Sequence, residues 1–381
     1  MRQTLLLGAF LCAAVPAGAV ELPAGTRLSV RLTQNVYSHA VSPGQRVDTL
    51  VIAPVRAGGR VVVAPGWKLE GTVLESGTQP GREKRARLRL GFTKLVSEDG
   101  TAFAVEGRMV DVDGARETVD AEGRVLGVPA RKGLPKDKDG LLRLAVQLDP
   151  VALGLMEASG QTVRAAVGYD RGAEMTVALT APAVVTAARP AGPDELSAAE
   201  VKPLAALPAQ TSDGEPLHLF LAGTREQVEA AFKEAGYVPF ERLWGKAGPH
   251  AFVTLAESNG FRAAPLGRLD GQDAALVFEK QNNTLARRHR VRLWPRAETF
   301  RGRAAWLGTA QRCVDLVFDK ASGTYRHRVD PDTDAEREKV VQDLVSARRV
   351  AAQGPVERKA AARAAADRPA TDGRVTVVVL Q

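Results

Sequence analysis

The sequence predicts a mainly β N-terminal domain, a small barrel or sandwich, followed by an α+β C-terminal domain. In the first half, short segments of alternating apolar and polar residues end at turns such as Pro43-Gly44 and Pro65-Gly66, which is the pattern of antiparallel strands. In the second half, an apolar strand leads through Gly223-Thr224 into a helical pattern. The 381 residues are enough for two domains that each bury a core.

Residues 1–19 predict an export signal. Arg2 supplies a charged start, residues 5–15 form an apolar run too short to cross a bilayer comfortably, and Ala17-Gly18-Ala19 is an A-x-A cleavage motif. We expect cleavage after Ala19 and a mature protein that is periplasmic or secreted, with an uncleaved membrane anchor as the alternative. The mature chain would keep Cys313 as its single cysteine, which excludes an intramolecular disulfide.

The first domain is predicted over residues 22–180. Period-two alternation predicts strands at residues 26–32, 46–52, 60–64, 69–74, 85–90, 163–167 and 175–179. Residues 127–145 lack periodicity and predict a loop, and the Ala- and Pro-rich residues 181–214 predict a linker with a short helical turn at 194–200. Arg85, Arg87 and Arg89 share one strand face, which is either a solvated face or a surface that attracts anions.

The turns of this first domain carry a resemblance to a known group. They include Pro23-Ala24-Gly25-Thr26, Pro43-Gly44, Pro65-Gly66 and Asp99-Gly100. The order of these turns resembles that of exported β-domains, including those of TrbI-type secretion-channel proteins. The resemblance implies an exported β-domain.

The second domain, predicted over residues 215–347, opens with a strand at 217–221. Thr224 and Gln227 have the spacing of a capping box, and Gly236 is placed to end the helix that follows. Residues 237–269 predict a long loop, residues 274–280 a strand, and residues 335–347 a helix. Residues 348–381 form an Ala- and Arg-rich tail; residues 347–368 are helical in propensity, and residues 374–380 predict a strand that pairs into a sheet.

The densest chemistry lies in two alternating segments, residues 288–294 and 325–330. Alternation places each histidine on a face with apolar residues and turns the arginines the other way. We expect His289, His327 and Asp330 to lie in one neighbourhood, as candidate catalytic groups in which Asp330 orients an imidazole. The candidate ligand-binding residues are Arg288, Arg290, Arg292, Arg328 and Asp332. The four guanidinium groups can each bind two phosphate oxygens through a bidentate hydrogen bond.

No metal or cofactor is predicted. Zinc would need three or four ligands, and the spacing of these residues matches no known zinc pattern. Asp330-x-Asp332-x-Asp334 resembles the start of a calcium loop, but Ala335 and Val341 stand where that loop needs Gly and Glu. Asp332 and Asp334 instead suit the start of a helix. Phosphate-binding loops and dinucleotide motifs are absent.

Four motifs in the second half, taken together, resemble the LssY C-terminal domain. They are residues 219–225 with 235–237, residues 288–294, residues 305–308 and residues 327–337. The resemblance implies an envelope location, since this domain stands alone in exported proteins or is attached to membrane modules, but it implies no reaction. Arg288 and Arg326 stand where many relatives place a further histidine, which disfavours metal binding here.

Two functions remain open. The favoured one is a noncatalytic binding or interaction protein of the cell envelope, whose ligand is an anionic lipid, phosphate or glycan, with a membrane protein as a further partner. The alternative is a periplasmic hydrolase of a phosphate-containing lipid or related substrate. Nucleic-acid binding suits the net charge of +8, but export and the low aromatic content argue against it.

Overall fold

A computed structural model describes most of the chain. The described residues are 19–78, 85–127, 167–186, 192–239, 262–263, 267–282, 284, 287–319, 324–358 and 371–381. The predicted export signal, the predicted loop at 127–145, the predicted strand at 163–167 and the long loop at 237–269 fall wholly or largely outside these residues.

The first half of the chain consists of strands. In chain order they are β1 (Ala19–Leu22), β2 (Arg27–Leu32), β3 (Val36–Tyr37), β4 (Arg46–Val51), β5 (Val55–Ala57), β6 (Arg60–Val63), β7 (Lys68–Thr78), β8 (Ala86–Val96), β9 (Ala102–Val112), β10 (Thr118–Val119), β11 (Arg124–Leu126), β12 (Gly168–Tyr169), β13 (Glu174–Leu179) and β14 (Ala183–Thr186).

Six of these strands close into an antiparallel barrel in the order β8-β7-β4-β2-β13-β9, and β9 pairs back onto β8. The alternation that predicts the strands also fills the barrel: in β2, Leu28, Val30 and Leu32 point inward and are buried. Gly107 allows β9 to approach β13, since a Cβ there would lie 2.8 Å from Val177. The prediction of a small β domain is confirmed, and the barrel is the form it takes.

The second half mixes strands and helices. In chain order they are β15 (Asp194–Glu195), α1 (Ala198–Val201), a 3-10 turn (Lys202–Ala206), β16 (Leu219–Ala222), α2 (Arg225–Glu234), β17 (Val238–Pro239), β18 (Arg262–Ala263), β19 (Leu276–Gln281), β20 (Arg288–Phe300), β21 (Arg303–Asp319), β22 (Thr324–Val329), α3 (Thr333–Ser346), β23 (Val350–Val356) and β24 (Val375–Leu380).

These strands form one mixed sheet in the order β15-β23-β24-β16-β21-β20-β19-β17. The long strand β21 pairs with β20 along one edge; its other edge pairs first with β16 and then with β22. Helices α2 and α3 pack on one sheet face through Val228, Phe232, Val340 and Leu344. The segment containing α1 covers the other face. The α+β prediction for the second domain is confirmed.

Local signals in the sequence place both long helices correctly. Thr224 accepts from the backbone N–H of Gln227, and the Gln227 side chain accepts from that of Thr224, which is the predicted capping box. Gly236 ends α2 with φ +90°. Asp332 starts α3 by accepting from the N–H of Ala335 at 3.0 Å.

The helical prediction for residues 347–368 is wrong where the structure describes them. Residues Val350–Val356 form strand β23 between β15 and β24. Its burial alternates, and Gly354 packs so closely on Leu196 that a Cβ would lie 2.8 Å away. Tertiary pairing with β24 therefore overrides helix propensity. The predicted pairing of the terminal strand is confirmed, because β24 lies between β16 and β23.

Candidate functional site at the domain interface

Strand β20 positions the candidate site because its two faces carry different groups. His289 lies on the face with the core residues Val291 and Leu293, and the arginines at 288, 290 and 292 lie on the other face. The alternation predicted for this segment is therefore present. Directly opposite His289 on strand β21 stands Arg312.

His289 is held between two carboxylates from different parts of the chain. Its Nδ1 lies 2.9 Å from both carboxylate oxygens of Glu336 on α3. Its Nε2 lies 2.8 Å from Oδ2 of Asp113, which follows barrel strand β9. Burial by itself lowers the pKa of His289, but Glu336 and Asp113 outweigh it and raise that pKa to about 9. At neutral pH the imidazole is protonated, and both ring N–H groups donate.

Next to this clamp, Glu174 of strand β13 collects three cations. Arg31 from the barrel lies 2.7 Å away, Lys339 from α3 lies 2.6 Å away, and Lys280 from β19 also contacts it. Burial by itself raises the pKa of Glu174, but Lys280, Lys339 and Arg31 hold it well below its usual range. One barrel carboxylate is thus bonded to two cations of the second half.

Asp343, one turn after Lys339 on α3, joins the same network. It lies 2.9 Å from Nζ of Lys280 and 3.1 Å from Nζ of Lys339, and it accepts from the hydroxyl of Tyr237 at 3.0 Å. Its side chain is 2% exposed. Such a buried carboxylate is tolerated because every charge near it has a partner.

The network is electrically balanced when His289 is protonated. The carboxylates are Asp113, Glu174, Glu336 and Asp343, and the cations are Arg31, Lys280, His289 and Lys339. Four negative charges therefore meet four positive ones. Arg312, half-exposed at 3.3 Å from Asp113, adds a further positive charge at the edge.

A cleft of about 490 Å³ opens beside this network, between the barrel and α3. His289, Arg312, Asp330, Asp332 and Lys339 are among the residues that line it. Its walls carry more carboxylates than cations. Among the described residues, no group of three or more His, Cys, Asp or Glu side chains is arranged to hold a metal ion.

The structure brings His289, Asp330 and Asp332 to this cleft, but not His327. Asp330 donates its backbone N–H to the carbonyl of Arg312 at 2.8 Å, which places it one strand beyond His289. Val329 pairs with Cys313, and Cys313 pairs with Arg288, so Val329 and, by alternation, His327 lie on the arginine face. The two histidines therefore occupy opposite faces of the sheet.

The arginine face of β20 is largely neutralised from within the same domain. Arg288 donates to Glu279 at 2.7 Å, and Arg290 donates to the other oxygen of the same carboxylate at 2.8 Å. Glu279 lies on the neighbouring strand β19 and is fully buried. Arg328 lies on the other sheet face and pairs with Asp315 at 3.2 Å near the surface.

Arg292 differs from its neighbours. Its side chain is 1% exposed, and it contacts Glu215 and Gln311 through Nη2. Among the described residues, its Nε and Nη1 have no hydrogen-bond partner, nor has Oγ1 of Thr309, which stands opposite Arg292 on β21. Burial lowers the pKa of Arg292 to about 10, against the opposing charge of Asp213.

Sequence reasoning missed most of the interface network. Glu336, Lys339 and Asp343 follow one another at helical spacing, which indicates a single charged stripe on α3. Such a stripe in the sequence can indicate that this face of α3 contacts other charged groups. Asp113 lies 176 residues before His289, and no local pattern connects the two.

Comparison with known proteins gives a family match. The profile of the family described as LssY C-terminus matches residues 200–375. Curated proteins give no significant match. Among solved structures, the chain is similar to ComB10 of the Com type IV secretion system of Helicobacter pylori, with 9% identity, a TM-score of 0.25, and coverage of 42% of this chain and 88% of that one. Within the described residues, no helix is long and apolar enough to span a bilayer.

Proposed function

We propose that the chain is a noncatalytic cell-envelope protein that binds an anionic envelope component, and that it carries an LssY-like domain over residues 200–375, which the LssY C-terminus family model matches. The envelope location rests on the export signal predicted at residues 1–19 and on what the family resemblance implies. The observation that carries the noncatalytic part is the double clamp on His289. The observation that supports an anionic ligand is the set of unused donors around Arg292.

The clamp argues against catalysis by His289. A nucleophile or general base needs a nitrogen lone pair, whereas both nitrogens of His289 carry protons that are donated to Asp113 and Glu336. His327 lies on the opposite sheet face and does not line the cleft. The hydrolase alternative, which combines His289, His327 and Asp330, therefore lacks a common reaction centre in this arrangement.

The arginine face supports recognition of an anion. A buried guanidinium whose N–H groups lack acceptors is costly, and an anionic oxygen is its best partner. Arg292 offers Nε and Nη1, and Thr309 adds a hydroxyl from the neighbouring strand. Phosphate and carboxylate groups fit this donor set. Envelope phospholipids carry phosphate groups, and acidic glycans carry carboxylate or phosphate groups.

Phosphate binding tests this proposal directly. We expect sodium phosphate to raise the melting temperature above its value in sodium chloride of equal ionic strength. The increase should vanish in Thr309→Val, which removes one hydroxyl at nearly constant volume, and in Arg292→Lys. It should persist in Arg27→Gln, which alters an exposed barrel arginine.

Vesicles separate a lipid source from free phosphate. We expect sedimentation with phosphatidylglycerol vesicles, but not with phosphatidylcholine vesicles, if the anion is a lipid headgroup. A response to phosphate without vesicle binding assigns a soluble anion. If the wild-type protein responds to neither phosphate nor the vesicles, the proposal of an anionic ligand is wrong.

A phosphatase assay tests the noncatalytic part. We expect the wild-type protein and His327→Ala to show the same background hydrolysis of a phosphomonoester and of phosphatidic acid. Turnover in the wild type that is lost in His327→Ala would establish the hydrolase instead.

A further inference from the structure

We propose that Asp113, His289 and Glu336, with the ion pairs around Glu174, form a latch that docks the barrel onto helix α3, and that loss of the His289 proton releases it. This inference concerns the joint between the domains. It does not depend on the proposed anionic ligand.

The interface between the barrel and the second half of the chain depends on polar contacts, because the apolar cores of the two halves do not extend across it. Within the described residues, the barrel cluster of buried apolar side chains contains only residues between 22 and 185. The two clusters of the second half contain only residues between 196 and 380. No described hydrophobic cluster therefore spans both halves, and interfaces of this kind separate more readily than apolar ones.

The contacts that do cross are hydrogen bonds and ion pairs. Asn282 donates to the carbonyl of Asp113 at 3.0 Å, and Arg287 donates to the carbonyl of Ala115 at 2.8 Å. Arg31 donates to the carbonyl of Ala235 at the end of α2 at 3.1 Å. With Glu174 and His289, these contacts hold the barrel against α2, α3 and β20.

His289 is a group of this joint whose charge can change on the alkaline side of neutral pH, because its pKa is raised to about 9. The charged groups that face its surroundings come from every element packed there. They are Arg31, Asp111, Asp113 and Glu174 from the barrel, Lys280 from β19, Arg312 from β21, Asp330 and Asp332 before α3, and Glu336, Glu338, Lys339 and Asp343 from α3. If the imidazole becomes neutral, the four carboxylates of the network face its three remaining cations. Asp113 and Glu336 then lose the positive charge that lies between them, and among the described residues Asp113 keeps only Arg312 as a hydrogen-bonded cation. The weaker attraction favours separation along the cleft.

The direction of the pH effect follows from the raised pKa of His289, about 9. A group whose pKa is raised on folding gives its full stabilisation at pH values below its ordinary pKa. That stabilisation is lost as the pH rises through the pKa of the group in the folded protein. The latch is thus closed at acidic and neutral pH and opens on the alkaline side. Asp113 does not open it in mild acid, because His289 and Lys339 overcome burial and keep its pKa below the usual range.

Two matched substitutions separate a latch from ordinary stabilisation. Asp113→Asn and Glu336→Gln each neutralise one carboxylate bonded to His289, but only Asp113 belongs to the barrel. We expect Asp113→Asn to increase hydrogen exchange about tenfold in the interface peptides around residues 52–54 and 335–346, while strand amides inside each domain stay protected. In Glu336→Gln, which leaves the bond to Asp113, the interface peptides should stay protected at about pH 6, below the ordinary pKa of histidine. They should lose protection at a lower pH than in the wild type, because Glu336 is one of the two carboxylates that raise the pKa of His289.

A second test of the latch uses the wild-type protein and needs no substitution. We expect the radius of gyration, measured by small-angle X-ray scattering, to increase reversibly between pH 7 and about pH 10 while the circular dichroism of the strands is retained. Equal interface exchange in the two variants at about pH 6 overturns the latch. A radius of gyration that stays constant over this pH range overturns it as well, including when Asp113→Asn fails to fold.

Discussion

The two faces of strand β20 carry similar charges but serve different parts of the molecule. On one face, Arg288 and Arg290 share Glu279 of the adjacent strand, so the charges stabilise a single domain. On the other face, His289 binds Asp113 of the barrel, so the charge joins two domains. What decides the role is the origin of the carboxylate: Glu279 is 11 residues from Arg290, and Asp113 is 176 residues from His289.

The largest effect should come from Glu174, a barrel carboxylate that is 6% exposed and contacts two cations across the domain joint. Glu174→Gln removes the barrel carboxylate that contacts Lys280 and the one nearest to Lys339, and breaking a buried pair costs about 3–5 kcal/mol. Urea denaturation measures this loss. The matched control is Glu75→Gln, since Glu75 also binds two arginines on the barrel but is 26% exposed; its cost should stay below about 1 kcal/mol. Similar losses in both variants would contradict the importance of the joint.

Glu279→Gln examines the arginine face alone. Removing the charge between Arg288 and Arg290 should cost about 3 kcal/mol of unfolding free energy, because the side chain is fully buried. The radius of gyration of the native protein should not change, since both partners lie in the same domain. An increase would mean that this face also holds the domains together, and the comparison between the faces would fail.

The pH profile of stability should distinguish His289 from the arginines. In the wild type we expect the unfolding free energy to decrease by about 2–3 kcal/mol as the pH rises from about 6.5 through 9, because the folded protein holds a proton that the unfolded chain releases earlier. In His289→Gln that slope should be absent. Urea titrations at successive pH values provide the measurement, and parallel profiles for the two proteins would refute the assignment.

The smallest effect is expected for Arg328→Gln. Arg328 pairs with Asp315 at 3.2 Å, but its side chain is 63% exposed and that of Asp315 is 43% exposed. Solvent screens such a pair, so the change in unfolding free energy should be below about 1 kcal/mol. Thermal and urea unfolding both test this; a loss as large as that of Glu279→Gln would show that exposure is a poor guide in this sheet.

The sequence predicts the local features of this site well. Alternation assigns His289 and the three arginines of β20 to opposite faces, and the residue types at Thr224, Gly236 and Asp332 predict the ends of the helices. Each of these features depends on residues within one helical turn or one strand. Local chemistry is sufficient for them.

The features that the sequence does not reveal depend on pairing between distant segments. Alternation within residues 325–330 does not determine which sheet face His327 shares with the side chains of β20. The pairing of Val329 with Cys313 places His327 on the arginine face. Strand β23 is fixed by its neighbours β15 and β24 rather than by its own composition. The carboxylates of the barrel reach His289 only once both domains are folded and docked.

The protonation state of His289 tests the central claim most directly. Nitrogen-15 NMR of the five histidines, assigned with His289→Gln, reports whether each ring carries one proton or two. We predict that at about pH 7.5 both nitrogens of His289 are protonated and that the ring titrates near pH 9. A neutral His289 ring at that pH, with one nitrogen free to accept a proton, would contradict the clamp and restore His289 as a candidate catalytic base.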